Sequence, residues 1–138
     1  MKAQTATTVL TAGRIMQKPV LATTMRASAR DVAAQLVRNE FSGMPVAERD
    51  GTLMGVVTEA DILRVLGEGK ALETLTAADI MTEKPATVDL EAPITEVIQV
   101  LQEHRILRVP VTERGRLVGI ISRSDIIRAV LEPEFMAF

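Results

Sequence analysis

The chain has 138 residues, of which 47% are hydrophobic and 25% charged, so it is long and apolar enough to fold around a core and is not a disordered chain. It contains no cysteine, which excludes a disulfide framework, a thiolate metal site and a cysteine nucleophile. A net charge of −2 and an aromatic content of 2% leave neither the positive surface nor the stacking faces that nucleic-acid binding uses.

In chain order, residues 1–8 lack the apolar stretch of a signal peptide, and no run approaches the ~18 apolar residues of a membrane span, so a cytoplasmic protein without a membrane partner is expected. Ile15-Met16 opens the first organised stretch and leads to a short strand expected over Val20 to Ala22. A helix follows around Asp31 to Val37, opened by Ser28 with Asp31 three residues on, the spacing of a capping box. Met44-Pro45-Val46 and the run Leu53 to Val57 read as two strands of a hairpin that turns at Asp50-Gly51. A second helix begins at Thr58 and ends near Gly67, where Gly67-Glu68-Gly69-Lys70 forms a hinge. Thr76-Ala77-Ala78-Asp79 opens another helix ahead of Ile80-Met81. A strand is expected over Ala86 to Val88, and then a helix begins at Pro93 and carries Ile94, Val97, Ile98 and Leu101 on one face. Val109-Pro110-Val111 and Leu117 to Ile121 form a second hairpin around Arg114-Gly115, and a last helix runs from Ser122 to about Pro133.

These elements repeat. Met81 follows Met16 by 65 positions, and Gly119 follows Gly55 by 64, one residue being lost at the hairpin turn. Each unit reads β-α-β-β-α, with the first repeat over residues 12–67 and the second over 77–131. A unit of this size hides its apolar faces poorly alone, so the expectation is an α/β (α+β) fold of two repeats packed as one pseudo-twofold module.

Two copies of Gly-h-h-(Thr/Ser)-x-x-Asp-h, where h is apolar, are each preceded by an h-Pro-Val strand and an opening Ile-Met. The chain thereby resembles a tandem pair of cystathionine-β-synthase (CBS) domains over about residues 12–131. The resemblance implies a regulatory, non-catalytic module that requires no cofactor, commonly dimerises, and binds an adenosyl ligand such as AMP, ADP, ATP, S-adenosylmethionine or NAD. It implies clefts between the repeats, one combining Thr58 and Asp61 with Pro85, Ala86, Arg108 and Val109. The other would combine Ile120, Ser122, Arg123 and Asp125 with Val20, Ser42, Gly43 and Met44. Arg108 resembles the phosphate-facing arginine of some members, whereas its equivalent in the first repeat is Gly43, and Glu59 disfavours a polyphosphate beside Thr58.

The residues themselves leave two readings open. A strand that ends at Thr58 or Ser122 delivers backbone N–H groups and the positive end of a helix dipole, and a carboxylate one turn on can accept from a ribose diol. The same Thr-x-x-Asp and Ser-x-x-Asp spacings are also plain capping boxes. His104, the single histidine, has no partners at metal-ligand spacing and suits a helix C-terminus. No recognisable nucleophile set or glycine-rich phosphate loop points to catalysis. A ligand sensor therefore stands against a structural dimerisation module whose clefts have lost ligand, with homodimerisation and an unidentified regulated protein common to both. The apolar tail, residues 132–138, would either fray or bury against a neighbour.

Overall fold

The computed structural model describes residues 10–135, and side chains to residue 131; the expectation for the tail lies outside the described side chains. The helices are α1 (Ala12–Ile15), α2 (Ala29–Asn39), α3 (Glu59–Gly67), α4 (Ala77–Ile80), α5 (Ile94–Glu103) and α6 (Arg123–Phe135). The strands are β1 (Gly43–Ala47), β2 (Leu53–Thr58), β3 (Thr82–Glu83), β4 (Val88–Asp89), β5 (Arg108–Glu113) and β6 (Arg116–Ser122), and a 3₁₀ turn spans Leu72–Thr74. The fold is mixed helix and strand, with two three-stranded sheets ordered β1-β2-β3 and β4-β5-β6. Among the described residues no helix is long and apolar enough to cross a membrane.

The described residues divide into two compact units, one of residues 21–85 and one joining the stretch before Leu21 to the stretch after Pro85. The segment that opens each repeat is therefore housed in the unit built mainly from the other repeat.

In the unit of residues 21–85, α2 begins because Ser28 accepts from the Arg30 N–H at 3.1 Å, and it ends at Glu40 in the left-handed conformation. The capping box expected with Asp31 is replaced by this bond to the residue before it. Val32 and Leu36 of α2, Val57 of β2, Ile62 and Val65 of α3, and Ile80 of α4 surround β1, whose Met44 and Val46 are fully buried. Burial runs without alternation from Met44 to Ala47, as in strands covered on both faces. β2 pairs antiparallel with β1 and with β3.

In the second unit α5 starts after Pro93, which takes the cap position itself, and buries Ile94, Val97 and Leu101 against Val109, Val111 and Ile121. β5 pairs antiparallel with β6 and parallel with β4, and Gln17 forms a lone antiparallel bridge to Ile120 on the far side of β6. The turn Arg114-Gly115 takes positive φ at both residues, the conformation a tight hairpin needs.

Two strands differ from expectation for one reason. Val20 to Ala22 is not a strand; the chain makes a single parallel bridge at Thr23 to Val46, and in the second unit β4 starts at Val88 rather than Ala86. In a strand the N–H and C=O of one residue point to the same side, and the Pro45 carbonyl accepts from Thr23 at 2.9 Å. The ring nitrogen of Pro45 faces that same edge without a hydrogen to donate, so pairing cannot extend upstream of Thr23. Pro110 does the same at the equivalent place in β5.

The opening Ile-Met pairs explain the motif glycines. A Cβ on Gly55 would lie 2.7 Å from the Thr82 carbonyl oxygen and 2.8 Å from the Met81 sulfur, and one on Gly119 would collide with the Met16 side chain. Each methionine thus lies in the groove that a missing side chain leaves on the neighbouring strand.

Candidate functional site

Each motif sits at a strand-to-helix junction, where a helix leaves its first N–H groups without helical partners. In the unit of residues 21–85, Thr58 ends β2 with extended backbone and caps α3. Its hydroxyl accepts from the Asp61 N–H at 3.2 Å, while Asp61 Oδ2 accepts from the Thr58 N–H at 2.8 Å and from its hydroxyl at 3.0 Å. Asp61 Oδ1 accepts from Arg64 at 2.9 Å, and the Thr82 hydroxyl reaches both carboxylate oxygens at 3.3 Å. Arg64 also donates to the Ile80 carbonyl at 3.2 Å, fastening the segment that brings Thr82 into place.

The second unit repeats this set with changed chemistry. Asp125 Oδ2 accepts from the Ser122 N–H at 2.7 Å, and the Asp125 N–H donates to the Ser122 hydroxyl at 3.3 Å. Asp125 Oδ1 accepts from Gln17 Nε2 at 2.7 Å and from Arg128 at 3.3 Å. The Ser122 hydroxyl shares a bond with that of Ser124 at 3.0 Å. Both aspartates are 4% exposed, although the Arg64 and Arg128 side chains paired with them are more than half exposed.

Around each junction the structure gathers that repeat's own strand residues. Gly43 lies opposite Thr58 across β1 and β2, and the Glu59 N–H donates to the Ser42 carbonyl at 2.9 Å. In the same way Arg108 lies opposite Ser122 across β5 and β6, and the Arg123 N–H donates to the Leu107 carbonyl at 3.3 Å. Burial holds the Arg108 guanidinium below the usual arginine range, and the Asp125 carboxylate pulls it partly back up. The second junction therefore combines a half-buried cation with a buried carboxylate, whereas at the first only a glycine stands in the cation's place.

Met44 and Val109 contribute their side chains to the cores of their units, which leaves mainly their backbone for a ligand to meet. Ile120 is buried beside Gln17, its backbone exchanging two hydrogen bonds with that residue. Val20 and Ala86 belong to the second unit and Pro85 to the first, all three half-buried and outside the strands. Among the described residues no group of three or more His, Asp or Glu side chains could hold a metal ion. Gln17 and Thr82 were invisible as site residues in the sequence alone; their one signal is that both directly follow Ile-Met at equivalent places.

Comparison with known proteins agrees with this architecture. Hypoxic response protein 1 of Mycobacterium tuberculosis is 35% identical over 108 residues, covering 77% of this chain and 76% of that protein. The crystal structure of CBSX2 in complex with AMP is similar with a TM-score of 0.79 and 28% identity, covering 90% of this chain and 98% of that one. The CBS domain pair of protein MJ0100, in complex with 5′-methylthioadenosine and S-adenosyl-L-methionine, is similar with a TM-score of 0.74 and 28% identity, covering 86% and 94%. The model of the CBS domain matches twice, at residues 12–68 and 77–132, and the chain belongs to the CBS domain family as a tandem pair.

Proposed function

We propose that this protein is a non-catalytic regulatory module that binds an adenosyl ligand at its strand-to-helix junctions. Asp125 and Asp61 would accept from the ribose hydroxyls, Ser122 and Thr58 would offer polar contacts at the helix N-termini, and Arg108 would attract a phosphate. The observation that carries this reading is the second junction, where Arg108, which the family pattern groups with Thr58 and Asp61, lies opposite Ser122 of its own repeat and brings a cation near Asp125. The likeness to CBS pairs bound to AMP, 5′-methylthioadenosine and S-adenosylmethionine supports the ligand class. Pro85, Ala86, Val20, Ser42, Gly43, Met44, Val109, Ile120 and Arg123 complete the contact set that the family pattern implies.

A second reading has its own observation. Both aspartates are buried and already accept from three protein partners each, as structural capping boxes require. In that case the module serves only to associate. The panel that separates the two is a thermal-shift titration with AMP, ATP, S-adenosylmethionine and NAD. At a hundred times its dissociation constant a true ligand stabilises by about 2.7 kcal/mol. An unmoved melting curve for all four at millimolar concentration favours the associating module.

A further inference from the structure

We infer that Gln17 and Thr82 are positioning residues for the ligand-facing aspartates, each acting on the motif carboxylate of the other repeat. The inference rests on the proposed ligand-binding reading. Gln17 and Thr82 occupy equivalent places, each directly after Ile-Met. Each is docked by backbone pairing on the strand that leads to the aspartate. Gln17 exchanges hydrogen bonds of 2.8 and 3.1 Å with Ile120, two residues before Ser122, and Thr82 pairs with Val56, two residues before Thr58. The preceding methionine lies over the motif glycine in both units, which fixes the register of the segment. Each side chain then reaches a carboxylate far away in sequence, Gln17 to Asp125 and Thr82 to Asp61.

Burial shows what these contacts do. The aspartates are 4% exposed, while Gln17 and Thr82, like Arg64 and Arg128, are exposed residues that bond to these buried carboxylates. A ligand approaching Asp125 or Asp61 from solvent meets these side chains beside the oxygens it must use. Their chemistry differs. The Gln17 amide nitrogen donates only, at 2.7 Å, and commits Asp125 Oδ1. The Thr82 hydroxyl sits at 3.3 Å from both oxygens of Asp61 and can turn to accept from a ligand hydroxyl as well as donate. The two repeats therefore present equivalent aspartates with different freedom, and one residue from the opposite repeat sets each.

Titration calorimetry with AMP and with S-adenosylmethionine tests this on the wild type, Gln17→Glu, Gln17→Met, Thr82→Val and Thr82→Ser. Melting temperatures are measured in parallel. Hydrogen bonds to charged groups make about a tenfold loss of affinity the expected effect of Gln17→Glu, Gln17→Met and Thr82→Val. Thr82→Ser, which keeps the hydroxyl, is expected to bind within threefold of wild type. Gln17→Met has similar length without donor or charge, so it holds the test open if the added charge of Gln17→Glu unfolds the protein. Lower melting temperatures with wild-type affinities in every variant would assign these residues a merely structural role and overturn the inference while leaving the ligand reading intact. A wild type that binds neither compound at millimolar concentration overturns the ligand reading, and the inference with it.

Discussion

Arg108 illustrates how a single side chain separates binding from stability. Burial disfavours its charged form, and the Asp125 carboxylate partly restores it. Arg108→Met keeps the aliphatic stem and removes the charge. The expected outcome is weaker binding of AMP, nearly unchanged binding of adenosine, which lacks the phosphate, and a melting temperature close to wild type. A large drop in melting temperature with AMP affinity retained would make Arg108 a structural residue. The sequence marked Asp61 and Asp125 because each lies in a repeated motif, and Arg108 because it resembles the phosphate-facing arginine of some family members. It could not mark Gln17, whose hydrogen bond spans 108 positions and whose neighbours show no ligand pattern.

Among the elements, the hairpins and the longer helices were legible because turn glycines and apolar spacing act locally. The edges of the sheets were not. Whether Val20 to Ala22 pairs depends on which edge of β1 Pro45 faces, and β3 forms only because the Ile80-Met81 segment crosses to β2. The crossing segments also make both motif glycines necessary. At Gly55 a new methyl would press on the Thr82 carbonyl oxygen and the Met81 thioether, and at Gly119 on Met16 as far down as its Cβ, 2.9 Å away and fixed to the backbone. Gly55→Ala and Gly119→Ala are therefore each expected to destabilise by ~1–3 kcal/mol, as read from urea unfolding midpoints. An unchanged midpoint in either variant would show that the methionine segment over that glycine gives way without loss of packing.

For the whole molecule, the apolar faces left exposed recur in both units. Leu63 and Leu66 of α3 are exposed, as are Ile127 and Val130 at the equivalent places of α6 with Leu131 following, and each face suits a second copy of this chain. Equilibrium sedimentation at tens of micromolar is expected to give twice the monomer mass, and Leu63→Glu with Ile127→Glu to return it to the monomer. A monomer at all concentrations, with and without nucleotide, contradicts the assignment. The central claim is that the buried aspartates serve a ligand as well as a helix, and calorimetric titration of AMP into wild type, Asp61→Ala and Asp125→Ala tests it most directly. The account requires saturable binding to wild type and a loss of affinity in at least one variant beyond what its folded fraction explains. Loss of a cap alone costs ~0.5–2 kcal/mol of stability, and both variants destabilised by that amount with AMP affinity unchanged would contradict it.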